Sequence, residues 1–312
     1  MHVAVLGAGV LGLSTALLAQ QRGWTVSLYT DRLPLHTTSV KAGASFKPHA
    51  VGYTAHTRRL LEDSWTAFER VQAEAGAAAG VRKHVHWEAS SAPRPRADYL
   101  SVMQQVRILE RPEVPGGYAF GWRYVSFFID MPVYLTWLMA QFEQNTGRVV
   151  VVNQPFTDLE QLAGLPAEIV FNCTGLGSRR LCHDQNLIPI KGQVVVVGPR
   201  PDMDWSINAD GFYVYPRKTE TLLGGTTERN IDTETVDNGA LHLVIHGNKR
   251  ILPGLELGDV RRAYAGLRPY REGGIRLEAE ERNSRRIVHN YGHGGAGVTL
   301  SWGSARAALD CV

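Results

Sequence analysis

Cysteine is scarce in this chain. Only Cys173, Cys182 and Cys311 occur in 312 residues, too few and too unevenly spaced for a disulfide framework or a zinc site. Buried free thiols in a reducing cytosol are expected instead. Lysine is scarce too, since 27 of the 33 basic residues are arginine. They are scattered rather than clustered and the formal charge is only +3, which argues against a nucleic-acid surface. Long apolar runs are also lacking. No Lys or Arg precedes the apolar start, Met1 to Gln20, as a signal peptide requires, and Gly, Ser, Thr and Gln interrupt it short of a spanning helix. The chain ends Asp310-Cys311-Val312 rather than in a peroxisomal Ser-Lys-Leu. A soluble, cytoplasmic protein with no membrane contact is the expectation.

Glycine, by contrast, is plentiful, at 32 residues, above the usual share of about 7%. The apolar fraction of 44% excludes a disordered or fibrous chain. At about 150 residues per domain the length suggests two domains. The glycines begin early. Val3, Val5 and Leu6 form a short strand, then Gly7-Ala8-Gly9-Val10-Leu11-Gly12 opens a helix that runs through Ser14 to Arg22 and ends at Gly23. A second strand, Thr25 to Tyr29, closes on Asp31, nineteen residues after Gly12. This is the dinucleotide-binding fingerprint in its strand–turn–helix setting. Gly7 permits the tight turn, Gly9 lets a pyrophosphate approach the backbone, and Gly12 lets helix and strand pack closely. The helix N-terminus supplies amide donors and a positive dipole end. The motif does not by itself separate FAD from NAD.

Further along, His36 to Gly43 reads as a small-residue loop, and Ala55 to Ala75 as an amphipathic helix with Leu61, Trp65 and Phe68 on one face. Residues 76–118 read as Ala/Gly- and Pro-rich connections. Asp130 and Pro132 mark a helix start, with Tyr134, Leu135, Leu138, Met139 and Phe142 as its apolar stripe and Gly147 as its end. Val149 to Val152 and Ile169 to Cys173 read as strands buried on both faces. The second of these leads into Thr174-Gly175, at the strand edge where open α/β sheets collect ligands. From Gln193 the pattern turns to strands, Val194 to Val197, Phe212 to Tyr215 and Thr221 to Leu223, and residues 233–265 read as helical. The expected fold class is α/β, a Rossmann-like FAD-binding domain with an interleaved antiparallel-sheet substrate domain. The divisions expected are 1–52, 145–185 and 266–312 for the first and 53–144 and 186–265 for the second.

Several stretches resemble the signatures of the D-amino-acid oxidase and D-aspartate oxidase family. They are Ala265-Gly266-Leu267-Arg268-Pro269, His289 to Thr299, Asn172 to Ser178, and Tyr213-Val214-Tyr215-Pro216 followed by Leu223-Gly224-Gly225. All occur in the family's order, and with the fingerprint they cover nearly the whole chain. The resemblance implies non-covalent FAD and oxidation of a D-amino acid to the imino acid by hydride transfer to flavin N5. Oxygen would then reoxidise the flavin to give hydrogen peroxide, and the imino acid would hydrolyse to a 2-oxo acid and ammonia. The implied partners are a small D-amino acid and O2. Assembly as a homodimer stays open.

By the same resemblance Arg268 clamps the substrate carboxylate as a bidentate pair, Tyr213 offers its hydroxyl to that carboxylate, and Gly295 lies near the substrate amine. FAD is assigned Gly7, Ala8, Gly9, Val10, Leu11, Gly12, Asp31, Arg32, Thr37, Thr38, Lys41, Ala42, Gly43, Cys173, Thr174, Gly175, Gly294, Ala296, Gly297, Val298 and Thr299. No acid–base residue is required, because positioning alone delivers the hydride. His289 and His293 are read as holding the glycine loop in shape. Two departures stand out. Asn208-Ala209-Asp210 replaces the stretch that usually holds a lid tyrosine, and Lys41-Ala42-Gly43 replaces Ala-Ala-Gly. Arg217 is read either as a partner for an acidic substrate side chain or as a solvated surface residue. Two alternatives remain: a related FAD enzyme acting on glycine, N-methylated or tailored amines, and a flavin-binding module without turnover.

Overall fold

The computed structural model describes residues 1–282 and 284–312. In chain order its strands are β1 (His2–Leu6), β2 (Thr25–Thr30), β3 (Val81–Ser90), β4 (Gln104–Leu109), β5 (Phe120–Ile129), β6 (Arg148–Val151), β7 (Ile169–Asn172), β8 (Leu187–Val197), β9 (Trp205–Ala209), β10 (Phe212–Pro216), β11 (Thr221–Gly224), β12 (Glu228–Arg229), β13 (Arg262–Arg271), β14 (Arg276–Arg282) and β15 (Arg285–Tyr291). The helices are α1 (Val10–Gln21), α2 (Ala55–Glu74), α3 (Met131–Gln144), α4 (Ser178–Leu181), α5 (Asn238–Asn248) and α6 (Ser301–Leu309).

Two sheets organise the molecule. The first has the order β14-β15-β7-β1-β2-β6. Its neighbours pair in parallel except β14, which runs antiparallel to β15. Apolar residues of β1 and β7 fill both faces: Val3, Val5 and Phe171 face one core, Ala4, Leu6 and Val170 another, as a sheet covered on both sides requires. The charged sequence of β14, with Glu278, Glu280, Glu281 and Arg282, suits an edge strand. The opposite edge, β6, was expected to be buried on both faces, but Val151 is 59% exposed because only β2 flanks it.

The second sheet has the order β12-β8-β11-β10-β9-β3-β5-β4, with β13 paired to β8 over ten residues, Arg262↔Val196 to Arg271↔Leu187. One face carries Val195, Val197, Ile207, Val214 and Leu223 against Val244 and Ile245 of α5. The other face carries Phe128, Val194, Val196, Tyr215 and Leu222. β3 and β4 lie where connections around short apolar stretches were expected, because the buried face of β3 carries His84, His86 and Glu88 in place of apolar residues. Helix occupies only Asn238–Asn248 of the stretch expected to be helical, and residues 262–265 are strand. The expected change of domain at residue 266 therefore falls inside β13.

The helix ends follow the sequence. Thr54 Oγ1 accepts from the Thr57 amide at 3.2 Å to start α2, and Asp237 Oδ1 accepts from Ala240 at 2.9 Å to start α5. The stripe of α3 is buried at Tyr134, Leu135, Leu138 and Phe142. Among the described residues no helix is long and apolar enough to cross a membrane.

Candidate active site

The C-terminal edge of the first sheet is built from backbone. Gly7 has φ +97°, and a Cβ there would lie 2.7 Å from the Cys173 carbonyl oxygen. A Cβ on Gly12 would overlap the Gly7 carbonyl oxygen itself. Strand, turn and helix thus interlock only with glycine at both positions. Gly9 caps α1 with no side chain, and the first turn carries no acid. The Val10 amide donates to Ser39 Oγ at 3.0 Å. This twelve-residue helix therefore presents its positive end to the edge of the sheet. Ala8, Val10 and Leu11 are buried in the turn. Asp31 and Arg32 stand exposed at the end of β2, 3.7 Å apart. Thr37 donates its hydroxyl to the Pro34 carbonyl at 2.7 Å, and Thr38 opens the short turn Thr38–Lys41.

Beside them, β7 ends in Cys173, Thr174 and Gly175. Burial pushes the Cys173 thiol up to about 12, so it is an inert packing group. Thr174 donates to Asn172 Oδ1 at 2.8 Å. The loop after β15 carries Gly294 with φ +55°, then Gly295, Ala296, Gly297 and Val298. Buried His293 stands 2.8 Å from Ser304 Oγ, and buried His289 has Nδ1 3.2 Å from Asn172 Nδ2. Both tie the loop and its strand to neighbouring elements.

Residues 41–50 cross between the two sheets. Lys41 lays its alkyl chain on Gly266 and pairs with Glu234 at 2.5 Å. The Ala42 carbonyl accepts from Arg217, and Gly43 sits against the rings of Tyr213 and Tyr215. Thr299 clips both backbone groups of Lys47, accepting its N–H at 3.1 Å and donating to its carbonyl at 3.0 Å. The Lys47 ammonium pairs with Glu88 at 3.0 Å. Burial alone would raise the Glu88 pKa. Lys47, His86 and the Tyr99 hydroxyl outweigh it and hold the carboxyl down to about 2.

Arg268 and Tyr213 come together on the inward face of the second sheet. Arg268 Nη1 donates to the Thr226 carbonyl at 3.2 Å, and the guanidinium occupies the space a side chain on Gly192 would need. No carboxylate of the described residues pairs with it. An arginine half-buried without a counter-ion calls for an anionic ligand. The Tyr213 hydroxyl has no hydrogen-bond partner among the described residues, and burial raises its pKa, so it remains a donor. Arg217 behaves differently from both readings of it. Its side chain is 4% exposed and held by Asp130 at 3.6 Å and Glu220 at 3.3 Å, so it is neither solvated nor free for a substrate.

Sequence reasoning missed Lys47, His49 and Glu88. His49 lies against Gly295, where a Cβ would come within 2.6 Å of its ring. Its side chain is exposed, and the surrounding protein together with the charges of Arg268 and Lys47 pushes its pKa down. The signal for Glu88 was the alternation His84, His86, Glu88, which puts three polar groups on one face of a strand.

The glycine turn that opens α1 is the edge at which a dinucleotide binds, and Arg268 stands on the second sheet with no carboxylate partner among the described residues. A family model described as FAD dependent oxidoreductase matches residues 2–310. The chain belongs to that family, in the group of the D-amino-acid and D-aspartate oxidases, and its cofactor is FAD. It is 33% identical to a D-amino-acid oxidase of Rubrobacter xylanophilus, over 98% of this chain and 94% of that protein. It is 31% identical to a D-aspartate oxidase of Homo sapiens, over 100% and 95%. The glycine oxidase structure from Geobacillus kaustophilus superposes with a TM-score of 0.83 at 17% identity, over 99% of this chain and 93% of that one, a likeness of fold.

Proposed function

We propose that the protein is a D-amino-acid oxidase. The observation that carries the reading is Arg268, a cation with no carboxylate partner among the described residues, beside Tyr213, whose hydroxyl has no hydrogen-bond partner among them. Gly7, Ala8, Gly9, Val10, Leu11 and Gly12 would hold the FAD pyrophosphate at the start of α1. Asp31 and Arg32 would meet the adenosine end, with Thr37 and Thr38 nearby. Ala42, Gly43, Cys173, Thr174, Gly175 and residues 294–299 would line the rest. A small-residue backbone suits that task, because side chains would keep a flat ring away.

FAD, when bound, would supply the acceptor for a hydride from the substrate Cα, with oxygen as the final oxidant and hydrogen peroxide as the product. The chain's own part is positioning. Arg268 would grip the carboxylate by two parallel, charge-assisted bonds and Tyr213 would add a third, fixing one end of the substrate. The Gly295 carbonyl would accept from the amine and fix the other. The imino acid formed would leave and hydrolyse to a 2-oxo acid and ammonia. Arg268 and Tyr213 together support an amino-acid substrate over a flavin-binding module without turnover.

The test is a panel of amino acids with the purified holoenzyme, following flavin bleaching without oxygen and peroxide with it. The D forms are expected to bleach the flavin faster than the L forms and to yield peroxide. Faster bleaching by L-amino acids, or by glycine and N-methylated amines alone, would refute the assignment.

A further inference from the structure

Tyr213 has no hydrogen bond to hold its ring, yet a hydroxyl that receives a carboxylate must be aimed. Two residues along the same face of β10, Tyr215 stacks on it, with centroids 4.3 Å apart and planes inclined by 22°. Tyr215 is itself boxed in. Phe128 and His86 meet its ring edge-on, each at 6.0 Å. The backbone of Gly43 closes on it so tightly that a Cβ would lie 2.8 Å from the ring. Its hydroxyl donates to Asn208 Oδ1 at 2.7 Å. Asn208 lies on β9 directly opposite Tyr213 in the strand register. Behind this box runs a buried polar chain. His84 Nε2 meets Ser206 Oγ at 3.1 Å, Ser206 meets His86 Nδ1 at 2.6 Å, and Ser45 meets the same nitrogen at 3.0 Å.

We propose that Tyr215 is a positioning residue, anchored by Asn208, that fixes the ring plane of Tyr213 and so aims its hydroxyl at the substrate carboxylate. The inference rests on the reading of Tyr213 given above. The geometry is that of a stop on a dial: a ring pinned at its hydroxyl and walled on its edges leaves its stacked neighbour one orientation. Interactions made through a second residue show themselves as non-additivity, because removing the residue acted upon removes the effect.

The experiment uses the holoenzyme and benzoate as a plain carboxylate probe, with Kd read from the flavin spectrum, alongside KM and kcat for a D-amino acid that the enzyme oxidises. Tyr215→Phe keeps the stack and loses the anchor, and should weaken benzoate about threefold; Tyr215→Leu and Tyr213→Phe should each weaken it about tenfold, with KM rising in step and kcat within about twofold. The double variant Tyr213→Phe/Tyr215→Leu should bind no more weakly than Tyr213→Phe alone. Asn208→Ala should match Tyr215→Phe, at unchanged flavin content, and it keeps the test open if the leucine variant fails to fold. Additive effects in the double variant would overturn the proposal, as would unchanged binding in Tyr215→Phe and Asn208→Ala while Tyr213→Phe is impaired. Unchanged binding in Tyr213→Phe would instead overturn the assignment of Tyr213, and this proposal with it.

Discussion

Replacing Arg268 by alanine tests the site at its most exposed point. The guanidinium donates to one neutral carbonyl, Thr226, at 3.2 Å and pairs with no carboxylate of the described residues. A substrate carboxylate would add two bonds to a charged group, each contributing about 1.5–3 kcal/mol. The loss expected for Arg268→Ala is therefore roughly 3–6 kcal/mol of transition-state binding, or about two to four and a half decades in kcat/KM. Arg268 is only half-buried, and solvent screening places the value nearer the lower figure. Arg268→Lys should recover part of it, since an ammonium cannot reproduce the planar fork. Stability should hardly change: the variant gives up one bond to a carbonyl and also removes a cation with no counter-ion. Peroxide formation gives kcat/KM, the flavin spectrum gives cofactor content, and a thermal melt gives stability. The reasoning fails if Arg268→Ala loses FAD or unfolds while the molecules that remain keep normal kcat/KM. Arg268 would then be a structural cation.

Two further outcomes follow from the same geometry. Gly12→Val should abolish flavin binding or folding, because even a Cβ at that position overlaps the Gly7 carbonyl oxygen; a yellow, well-folded variant would contradict the interlocked turn. Thermal stability should fall as the pH drops from about 6.5 toward 4. His86, fully buried and lowered to about 3, stays neutral in the fold, whereas the unfolded chain takes up protons from about 6.5 downward. Glu88, held near 2, acts in the same direction below about 4.5, because there the unfolded chain's carboxylate takes up a proton while the native one stays ionised. A melting temperature flat between pH 7 and 4 would refute these directions.

How far the sequence could be read depended on whether an element carried a local signal. The turn Gly7 to Gly12 was legible because three glycines at fixed spacing meet three separate steric demands. Helix α3 was legible because Asp130, Pro132 and a stripe at helical spacing agree. β3 was not, because its inward face carries His84, His86 and Glu88, and buried polar groups make sense only beside partners such as Ser206, Tyr124 and Lys47, which come from distant parts of the chain. β6 was misjudged for a related reason: Val149 to Val152 is apolar enough for a central strand, and only the strand order makes it an edge. Arg217 was misread because its partners, Asp130 and Ala42, arrive from other elements. Arg268 and Tyr213 came through resemblance, and nothing in their local spacing brings them together.

The ten-residue ladder between β13 and β8 also decides where the chain tolerates a change of length. Gly266 and Arg268 share the inward face of β13, while Ala265 and Leu267 are buried on the other. Inserting or deleting one residue between 262 and 268, or in the facing stretch of β8, would turn Leu267 inward and carry the guanidinium to the opposite face, among the buried side chains of Lys191 and Gln193. Such a change would cost both the fold and the clamp. Residues 272–275 lie past the ladder, in a turn that contains Gly273 and Gly274, and length variation there leaves the register untouched. A library of single-residue insertions across 258–276 should therefore show a sharp border: intolerance up to Arg268 and recovery in the turn only four residues beyond.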